Sequence, residues 1–537
     1  MLPGLLTTDL CSLRANVVRL TFSVLWEINV HTAEIRKVSF HKAMIRSSAA
    51  LAYADAQNRI DDAKDDTPLT KSLRMLNTLA KKLRANRRDR GALELASQEV
   101  RFELDSETQD PLSVTRYELR DTNRMVEEFM LLANCSVAEK ILDHFPHCSV
   151  LRRHPAPKLD ALENLRKLLA TSKACTKALN IEEEPSAAEV EDDKGDKKKS
   201  RKRQRKDQSA EEDQHQEHTS AAAISNLFRF NSNKELADSL DRLGALQKGQ
   251  KQSAADRQVN QLIRVLTTRC MNQASYFCTG TLADRSLYKH YGLAMDLYTH
   301  FTSPIRRYAD VLAHRLLAHA IGYEATAPPP QLTKERVQRQ CEVINLRHRM
   351  AQWCGRASAN LHTFLFFKKR GPQDQVTAVV TRVMPKQIFV NVPKFGIEGA
   401  VRMDNNHDPK MLEGRGEENM TEGGEEKKTA AAWRFDETRQ CFVSQENSES
   451  KQARKIQVFD EVLVRIEAEE KDFRNKTLLT FQGLKLKMVK SDGSPGESPT
   501  ALEATGLLGK KASRKEQLER ARIRKEMFPE EIAREAN

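Results

Sequence analysis

The hydrophobic and polar positions of this chain change their period several times. In residues 17–46, apolar residues partly alternate with polar ones, which predicts two strands separated by a polar turn. From 47 to 96 the apolar positions recur at helical spacing, and a short strand pattern, EVRFELD, follows. The segment NRMVEEFMLLANCSVAEKILDHF is apolar around much of its helical circumference. It is therefore predicted to be a deeply buried helix.

Helical and strand patterns separate in the second half of the chain. Residues 226–282, 304–321 and 334–367 have helical spacing, whereas short alternating segments follow the turn RGPQDQ. Roughly five such strands in about 110 residues predict a small closed barrel, for which the OB-fold is the leading candidate. The expected fold class is α+β, a mixed domain followed by a five-stranded OB-fold β-barrel.

Three polar segments interrupt or follow these patterns, at residues 181–224, 406–432 and 486–537. The first is rich in charged residues and lacks aromatic ones, so it cannot bury enough apolar surface to offset the entropy cost of ordering. The three segments are predicted to be a disordered insertion, a polar insertion, and a basic, largely disordered tail in which a helix could form. The run KKKSRKRQRK in the first segment is basic at eight of its ten positions. That composition suits a nuclear-import signal, an RNA-contacting arm or a solvated charge run.

The charge balance favours a polyanionic partner. The chain of 537 residues has a formal net charge of +13, but 30% of its residues are charged and both signs are abundant. Nucleic acid is therefore one partner class among those that charge allows. The nine cysteines are dispersed without a CxxC pair, which predicts reduced thiols and neither a zinc site nor a disulfide framework. No run of about 18 apolar residues is present, so no membrane partner is expected.

The stretch YTHFTSPIRRYAD places two arginines where a helix is predicted to begin. Ser303 suits the N-cap and Pro304 the first helical position, so Arg306 and Arg307 are expected in the first turn. The helix dipole alone disfavours cations there. Free backbone N–H groups and two guanidiniums together make a site for an anion. The alternative is an exposed Arg306–Asp310 ion pair along the helix.

Several long motifs resemble one known family. HYGLAMDLYTHFTSPIRRYADVLAHRLL is similar to the signature of the RNase II/RNase R family, whose catalytic unit is the RNB domain. The resemblance runs almost continuously from Leu2 to about Gly483, outside the two insertions, and includes LPGLLTTDLCSLR, IRSSAALAYADAQ and VVTRVMPKQIFVNVPKFGIEGAVRM. Within the family the chain is most similar to the eukaryotic members that act as the exosome's catalytic exoribonuclease subunit.

This resemblance implies a domain organisation and an activity. Residues 1–370 would be a partial RNB domain, and residues 371–485 an OB-fold RNA-binding domain. Members of the family are 3′-to-5′ exoribonucleases that thread single-stranded RNA into a channel and release nucleoside monophosphates by two-metal hydrolysis. The resemblance also implies exosome core subunits as partners, a role in RNA processing and decay, and a location in the nucleus, with the cytoplasm as a further site.

The same motifs imply roles for individual residues around the arginines. Arg306 matches the family's catalytic arginine, which would stabilise charge on the scissile phosphate. Arg307 would hold an adjacent phosphate. Ser303 and His300, in the same motif, are placed beside the RNA channel. The other histidines show no metal-ligand spacing and are expected to be structural or at the surface.

A tyrosine and two glutamates complete the set of implied RNA contacts. Tyr53, in LAYADAQ, falls where the family has a tyrosine near the 3′-terminal nucleotides. Glu127 and Glu128, in MVEEFMLLAN, match a pair of which one contacts the RNA near the scissile end. A carboxylate among apolar helix positions is costly without a purpose or a partner, which supports that role. The alternative is an ion pair with Arg124.

The family also implies Mg²⁺, bound by aspartates in a D-x₅-D-x-D-D-like segment that precedes the LP motif. This sequence starts at that motif, so the metal ligands are not expected within it. The stretch DAQNRIDDAKDD has a similar spacing, but it continues a predicted helix. There Asp55 and Asp61 point roughly 120° apart, which suits a solvated face rather than a metal site.

The expected activity follows from this missing segment. The chain as given is predicted to belong to a 3′-to-5′ exoribonuclease but to be inactive, as an incomplete gene model or the product of an alternative start would be. The alternative is a genuine non-catalytic product that binds RNA or interacts with the exosome. A duplex-DNA-binding protein with a basic arm has only the net charge in its favour.

Overall fold

The computed structural model describes most of the chain up to Leu484. The described residues are 2–95, 100–104, 111–116, 119–171, 226–243, 254–323, 332–403, 433–437, 440–444, 455–471 and 474–484. The predicted insertions at 181–224 and 406–432 and the tail at 486–537 lie outside them, as does the basic run KKKSRKRQRK. The chain divides into two units, residues 1–483 and 484–537, and the candidate site belongs to the first.

The described helices follow the apolar periodicity of the sequence closely. They are α1 (Tyr53–Asp61), α2 (Pro68–Asp89), α3 (Asp121–His144), α4 (Leu159–Thr171), α5 (Asn233–Arg242), α6 (Ala254–Cys270), α7 (Tyr308–Ala320) and α8 (Lys334–Arg370). Short helical turns lie at Leu5–Leu10, Thr279–Thr281, Arg285–Tyr288 and Tyr291–Leu293. No described helix is both long enough and apolar enough to cross a membrane.

The strands form separate small sheets. They are β1 (Val18–Ile28), β2 (Ile35–Arg46), β3 (Val100–Leu104), β4 (Pro111–Arg116), β5 (Val150–Arg153), β6 (Ser275–Cys278), β7 (Gln373–Met384), β8 (Gln387–Val392), β9 (Ile397–Arg402), β10 (Trp433–Asp436), β11 (Cys441–Ser444), β12 (Lys455–Ile456), β13 (Glu461–Lys471) and β14 (Arg474–Leu484). The pairs β1–β2, β3–β4 and β5–β6 are antiparallel. The last strands form a five-stranded sheet in the order β14-β13-β7-β8-β9 and a three-stranded sheet, β10-β11-β12.

These observations confirm the mixed helix and strand content. The strands predicted from residue 376 onward are present as β7, β8, β9, β11, β13 and β14. The described strands belong to two sheets rather than to one closed ring, so closure of the OB-type barrel stays a prediction.

The main core lies where α3 and α7 pack under the β1–β2 hairpin. The buried side chains include Val137 and Ile141 of α3 and Leu312 and Leu316 of α7, all fully shielded from solvent. The inner face of β1 packs partly buried aromatic rings on them, and Trp26 donates a hydrogen bond from Nε1 to Ser136 Oγ at 3.1 Å. The deep burial predicted for α3 is confirmed.

The long helix α8 connects this core to the C-terminal strands. Near its start, the Asn345 side chain forms two 2.8 Å hydrogen bonds with the backbone of Tyr276 in β6. At its end, Phe366 and Phe367 pack against Phe395, which lies between β8 and β9. A helix of 37 residues is about 55 Å long.

Two expectations about local structure are wrong. Helix α7 begins at Tyr308 with Arg307 as its N-cap residue, not at Pro304 with Ser303 as the cap. The physical reason is that the Asp310 side chain binds the backbone N–H of Ser303, which folds residues 304–306 into a separate turn. The helical pattern expected up to residue 282 also ends early, because residues 275–278 form β6 against β5. Four residues are too few for periodicity to separate a strand from a helix.

The core predicts the cost of one truncation. Leu316→Ala removes a fully buried side chain among close-packed neighbours, so it is expected to lower the free energy of unfolding by about 2–5 kcal/mol. Leu287→Ala is the matched control, because Leu287 is 49% exposed, and it is expected to change the stability by less than about 1 kcal/mol. Urea unfolding followed by circular dichroism measures both. Equal losses would contradict the assignment of the core.

Candidate functional site

The arginine turn is fixed by its own backbone and by one carboxylate. The carbonyl of Ser303 accepts hydrogen bonds from the backbone N–H groups of Arg306 and Arg307, at 3.3 and 3.1 Å. Asp310, with no exposed surface, accepts from the Ser303 N–H at 2.7 Å. Leu2 adds a third tie, because its N–H donates to the carbonyl of Ile305 at 2.9 Å. The turn therefore holds both arginines in defined places.

Arg307 is the arginine that points toward the protein interior. Its Nη2 donates to Asp310 Oδ1 at 2.8 Å and to Thr302 Oγ1 at 3.3 Å. Its buried Nε has no hydrogen-bond partner among the described residues, and neither has Asp310 Oδ2. An unsatisfied guanidinium N–H in a buried position is costly unless a ligand or water fills it. The Arg307–Asp310 pair therefore keeps one donor and one acceptor without a partner among the described residues.

Arg306 is exposed and differs from Arg307 in its contacts. Its Nη2 lies 3.4 Å from Ser303 Oγ, the one side-chain contact that the described residues give it. The expected alternative, a pair between Arg306 and Asp310, is wrong because Arg307 binds that carboxylate at helical spacing i, i+3. The Arg306 guanidinium thus stays available to a solvent-borne anion.

An open cavity of about 250 Å³ lies beside Arg307. Pockets for small ligands are commonly of this order or larger. Three of the predicted site residues line it together: Tyr53, Glu127 and Arg307. The remaining lining residues are Asn123, Val126, Met130, Leu131, Asn134 and Tyr298. An aromatic ring, a carboxylate and a guanidinium therefore face one space whose other walls are mostly apolar or neutral.

Helices α1 and α3 bring Tyr53 and Glu127 to the same cavity. Tyr53 is the first residue of α1, and its carbonyl accepts a 2.9 Å hydrogen bond from Thr122 Oγ1 at the start of α3. Gln57, one turn further along α1, accepts from the Thr122 N–H at 3.1 Å. Because Thr122 is fully buried, this connection fixes the two helix starts against each other. The Tyr53 side chain remains 43% exposed at the cavity.

Asn134 orients the opposite wall. Its Nδ2 donates to the Tyr298 hydroxyl at 3.0 Å, and its Oδ1 accepts from the Phe301 N–H at 2.8 Å. Burial raises the pKa of Tyr298 to about 12, so the hydroxyl remains protonated. One buried amide in α3 therefore positions both a lining side chain and the segment that leads into the arginine turn.

The two adjacent glutamates have different environments. Glu127 faces the cavity, and desolvation raises its pKa above the ordinary 4.5, while Arg87 and Arg84 act in the opposite direction. Glu128 is buried and its carboxylate accepts from Arg87 Nη2 at 2.5 Å and Nε at 3.2 Å. The alternative prediction, an ion pair between this carboxylate and Arg124, is therefore wrong. Only Glu127 of the pair lines the cavity.

His300 lies behind the cavity wall. Its Nδ1 shares a short hydrogen bond with the hydroxyl of Tyr276, and its ring contacts Tyr298 edge to face. Burial, together with the nearby Arg307 and Arg152, lowers the pKa of His300 to about 2. The ring is therefore neutral at physiological pH, and it supports the wall rather than lining it. Ser303 is also buried and takes part in the turn through its backbone.

Three residues of the site, Asn134, Tyr298 and Arg87, were not predicted from the sequence. Asn134 is a polar residue in an otherwise apolar stretch of a buried helix, and that mismatch is a signal that could have been used. Tyr298 belongs to the motif YTHFTSPIRRYAD, but that motif implied no role for it. Arg87 belongs to the run ANRRD at the end of α2, where nothing in the sequence separates a buried arginine from exposed ones.

The fold is of the α+β class, and its cavity brings an aromatic ring, a carboxylate and a guanidinium together. Comparison with known proteins gives the family. The RNB domain model matches residues 1–323 and an S1 domain model matches residues 375–480. The chain belongs to the RNB exoribonuclease family.

Named relatives and solved structures agree with this family. The chain is 42% identical over 452 residues to "Exosome complex exonuclease RRP44 homolog A" of Arabidopsis thaliana, covering 83% of this chain and 39% of the relative. It is 44% identical over 412 residues to "Exosome complex exonuclease RRP44" of Mus musculus, covering 76% of this chain and 36% of the relative. The chain thus spans less than two fifths of the length of these curated relatives.

The similar solved structures establish the fold. Mycoplasma genitalium RNase R in complex with ribose-methylated single-stranded RNA matches with a TM-score of 0.63 at 19% identity, covering 90% of this chain and 60% of that one. Yeast Ssd1, described as a pseudonuclease, matches with a TM-score of 0.59 at 15% identity, covering 90% of this chain and 59% of that one.

The described residues do not fit the pair of divalent metal ions that the family implies. No group of three or more His, Cys, Asp or Glu in the described part of the chain could hold a metal ion. Of the aspartates in DAQNRIDDAKDD, Asp65 instead accepts from Thr67 and Thr70 and pairs with Arg59. The carboxylate of Asp310 is engaged by Arg307 and Ser303.

The buried Arg87–Glu128 pair predicts an asymmetric mutational series. Glu128→Gln leaves the Arg87 guanidinium buried without a counter-charge, so it is expected to lower the free energy of unfolding by about 3–5 kcal/mol. Replacing both partners, Arg87→Met with Glu128→Leu, is expected to restore stability to within about 1 kcal/mol or better. Denaturant unfolding of the single and double variants measures this difference.

The exposed pair of Lys71 and Asp66 is the matched control for this series. Asp66→Asn is expected to cost less than about 1 kcal/mol, because water screens both charges. If Glu128→Gln costs no more than Asp66→Asn, the pair does not support the helix that bears Glu127.

Proposed function

We propose that this chain binds the 3′-terminal nucleotides of single-stranded RNA, as the RNA-holding part of a 3′-to-5′ exoribonuclease of exosome type. The observation that carries this proposal is the convergence of Tyr53, Glu127 and Arg307 on one cavity. These three side chains can stack on a base, bind a ribose hydroxyl and bind a phosphate, which are the three parts of a nucleotide.

Each side chain suits one part of a nucleotide. The half-exposed Tyr53 ring supplies a face on which a base stacks regardless of its identity. The Glu127 carboxylate accepts a hydrogen bond from a ribose 2′-hydroxyl, the group that distinguishes RNA from DNA. The Arg307 guanidinium, which lines the cavity, donates to a phosphate oxygen. Arg306, exposed on the same turn, binds the next phosphate. In a catalytically competent enzyme its charge would stabilise the charge that develops there during cleavage.

The C-terminal strands extend this RNA surface in the proposal. Strands β7 to β14 close into an OB-type barrel, a fold that commonly binds single-stranded nucleic acid along one face. The match of residues 375–480 to an S1 domain model supports this arrangement. The barrel surface then guides the RNA strand, while the cavity holds its 3′ end.

Exosome core subunits are the proposed protein partners, and the nucleus is the proposed location. Support comes from the names of the plant and mouse relatives, which describe exosome complex exonucleases. The basic run at residues 197–206 supplies the import signal.

The chain as given is proposed to hold RNA without hydrolysing it. A protein whose entire role is non-catalytic RNA binding or interaction with the exosome is the second candidate function. The observation that favours this candidate is that no group of three or more His, Cys, Asp or Glu among the described residues could hold a metal ion. The fold itself is compatible with that role, since the similar yeast Ssd1 is described as a pseudonuclease.

Binding of 5′-labelled single-stranded RNA in the presence of Mg²⁺ tests the proposal. The full chain is expected to bind the RNA and leave its length unchanged. Arg306→Ala is expected to weaken binding about tenfold, since a charge-assisted contact contributes roughly 1.5–3 kcal/mol. It should also reduce the salt dependence of binding by about 0.7 in logarithmic slope. Gel mobility and denaturing electrophoresis of the same samples give both readouts.

Arg285→Ala is the matched control, because Arg285 is also exposed but lies outside the turn. It is expected to change the affinity less than twofold. Equal effects of the two variants would contradict a specific arginine site. Stepwise shortening of the RNA from its 3′ end, lost in Arg306→Ala, would reject the non-catalytic candidate and keep the 3′-end site.

Glu127 predicts a pH-dependent preference for RNA over DNA. Its pKa lies above the ordinary 4.5, and only the ionised carboxylate is a pure acceptor for the 2′-hydroxyl. The ratio of RNA to DNA affinity is therefore expected to be highest near pH 7 and to fall as the pH drops through the raised pKa. Fluorescence anisotropy with matched oligonucleotides measures this ratio. Glu127→Gln should make it independent of pH, and an unchanged profile in that variant would reject Glu127 as the ribose contact.

A further inference from the structure

The middle of helix α8 is exposed on every side. All residues from 349 to 361 are exposed to solvent, whereas Cys341 before them and Phe364 after them are buried. Gly355 lies in the centre, and a Cβ added there would meet no atom of the described chain within 4 Å. This stretch is therefore largely exposed between the main core and the C-terminal strands, although Gln352 within it accepts a 2.8 Å hydrogen bond from Gln273.

An apolar stripe runs along this helix. Its members repeat at intervals of three and four residues and include five large exposed side chains, of which Trp353 is 63% exposed and Val343 52%. At 100° per residue, all members fall within about 80° of the circumference. They are Val343, Leu346, Met350, Trp353, Ala357 and Leu361. Spacing of this kind is the seam that one helix offers to another in a coiled coil.

The flanks of the stripe carry one sign of charge. Arg347 lies on one side of the stripe, and Arg349 and Arg356 lie on the other. None of the three is in an ion pair with a carboxylate of the described residues. Residues 343–370 contain no Asp or Glu at all. The stripe is therefore an apolar seam with cationic borders.

We propose that the α8 stripe is a docking surface for an amphipathic helix with acidic flanks, supplied by a partner protein. The seam from Val343 to Leu361 is about 27 Å long, enough for roughly two and a half heptads of a partner helix. Acidic residues at the border positions of that helix pair with Arg347, Arg349 and Arg356. The partner's apolar residues cover the exposed parts of Met350 and Trp353, which are 45% and 63% exposed.

Charge and shape disfavour the other occupants. A second copy of α8 would place arginines against arginines, since its borders carry no carboxylate. An RNA strand would find charge partners in the arginines, but the seam offers it only one aromatic ring, Trp353, among aliphatic side chains. An acidic helix satisfies both the apolar seam and its cationic borders.

Two synthetic 21-residue helical peptides test the proposal on the full chain. Both have Leu and Ile at the seam positions; one has Glu at the border positions and the other Lys. Fluorescence anisotropy of the labelled peptides is expected to show that the Glu peptide binds at least tenfold more tightly than the Lys peptide. The triple variant Arg347→Glu, Arg349→Glu, Arg356→Glu should reverse this preference.

Variants on two faces of α8 separate the seam from general charge. Trp353→Glu is expected to weaken binding of the Glu peptide at least tenfold. Ala359→Glu adds the same charge to the same helix about 160° from the centre of the stripe, and it should change binding less than twofold. Circular dichroism confirms that each variant keeps its helix content. Equal loss in both variants, or equal binding of both peptides, would overturn the proposal.

Two further outcomes would assign the stripe to another occupant. Displacement of the bound Glu peptide by oligouridylate, together with a loss of RNA affinity in Trp353→Glu, would make it an RNA surface. Concentration-dependent self-association that Trp353→Glu abolishes in analytical ultracentrifugation would make it a contact between copies. Either result would overturn the acidic-helix proposal, whereas a monomer whose peptide stays bound in excess oligouridylate would support it.

Discussion

The arrangement of the candidate site depends on one buried carboxylate. Asp310 has no exposed surface, and it accepts hydrogen bonds from the Ser303 N–H and from the Arg307 guanidinium. Burying a polar side chain without hydrogen-bond partners costs free energy. Folding therefore requires the chain before α7 to bend back and supply both donors. The two arginines diverge as a result, since one is drawn inward to neutralise Asp310 and the other is left in solvent.

A second buried polar group ties that turn to the rest of the cavity. The Asn134 amide in α3 binds both Tyr298 and the backbone of Phe301. The arginine turn, the tyrosine wall and the helix bearing Glu127 are thus parts of one hydrogen-bonded unit. Helix α3 also packs on α7 through the main core. Apolar packing outside the cavity therefore determines the positions of the helices that bear the site residues.

Sequence patterns predicted the elements well where they were long and periodic, as in α3 and the strands from β7 onward. They failed at the turn before α7, because the preference of Ser303 and Pro304 for a helix start was overridden by a tertiary contact from Asp310. They also missed β5 and β6, which are four residues each. The motifs pointed to Tyr53, Glu127 and Arg307 as RNA contacts. They could not show that these three side chains share a cavity or that Glu128 pairs with Arg87, because both facts depend on distances in the folded chain.

Helix α8 fixes the rotation of the C-terminal strands relative to the main core. Its N-terminal end is fixed to β6 through Asn345, and its C-terminal end packs on Phe395. Between these two contacts the backbone is one continuous α-helix, which turns about 100° and rises about 1.5 Å with each residue. The loss of a single residue in the exposed middle would therefore rotate the C-terminal strands by more than a quarter turn relative to the cavity. The length of this segment can therefore change only in steps close to whole helical turns if the C-terminal strands are to keep their orientation relative to the cavity.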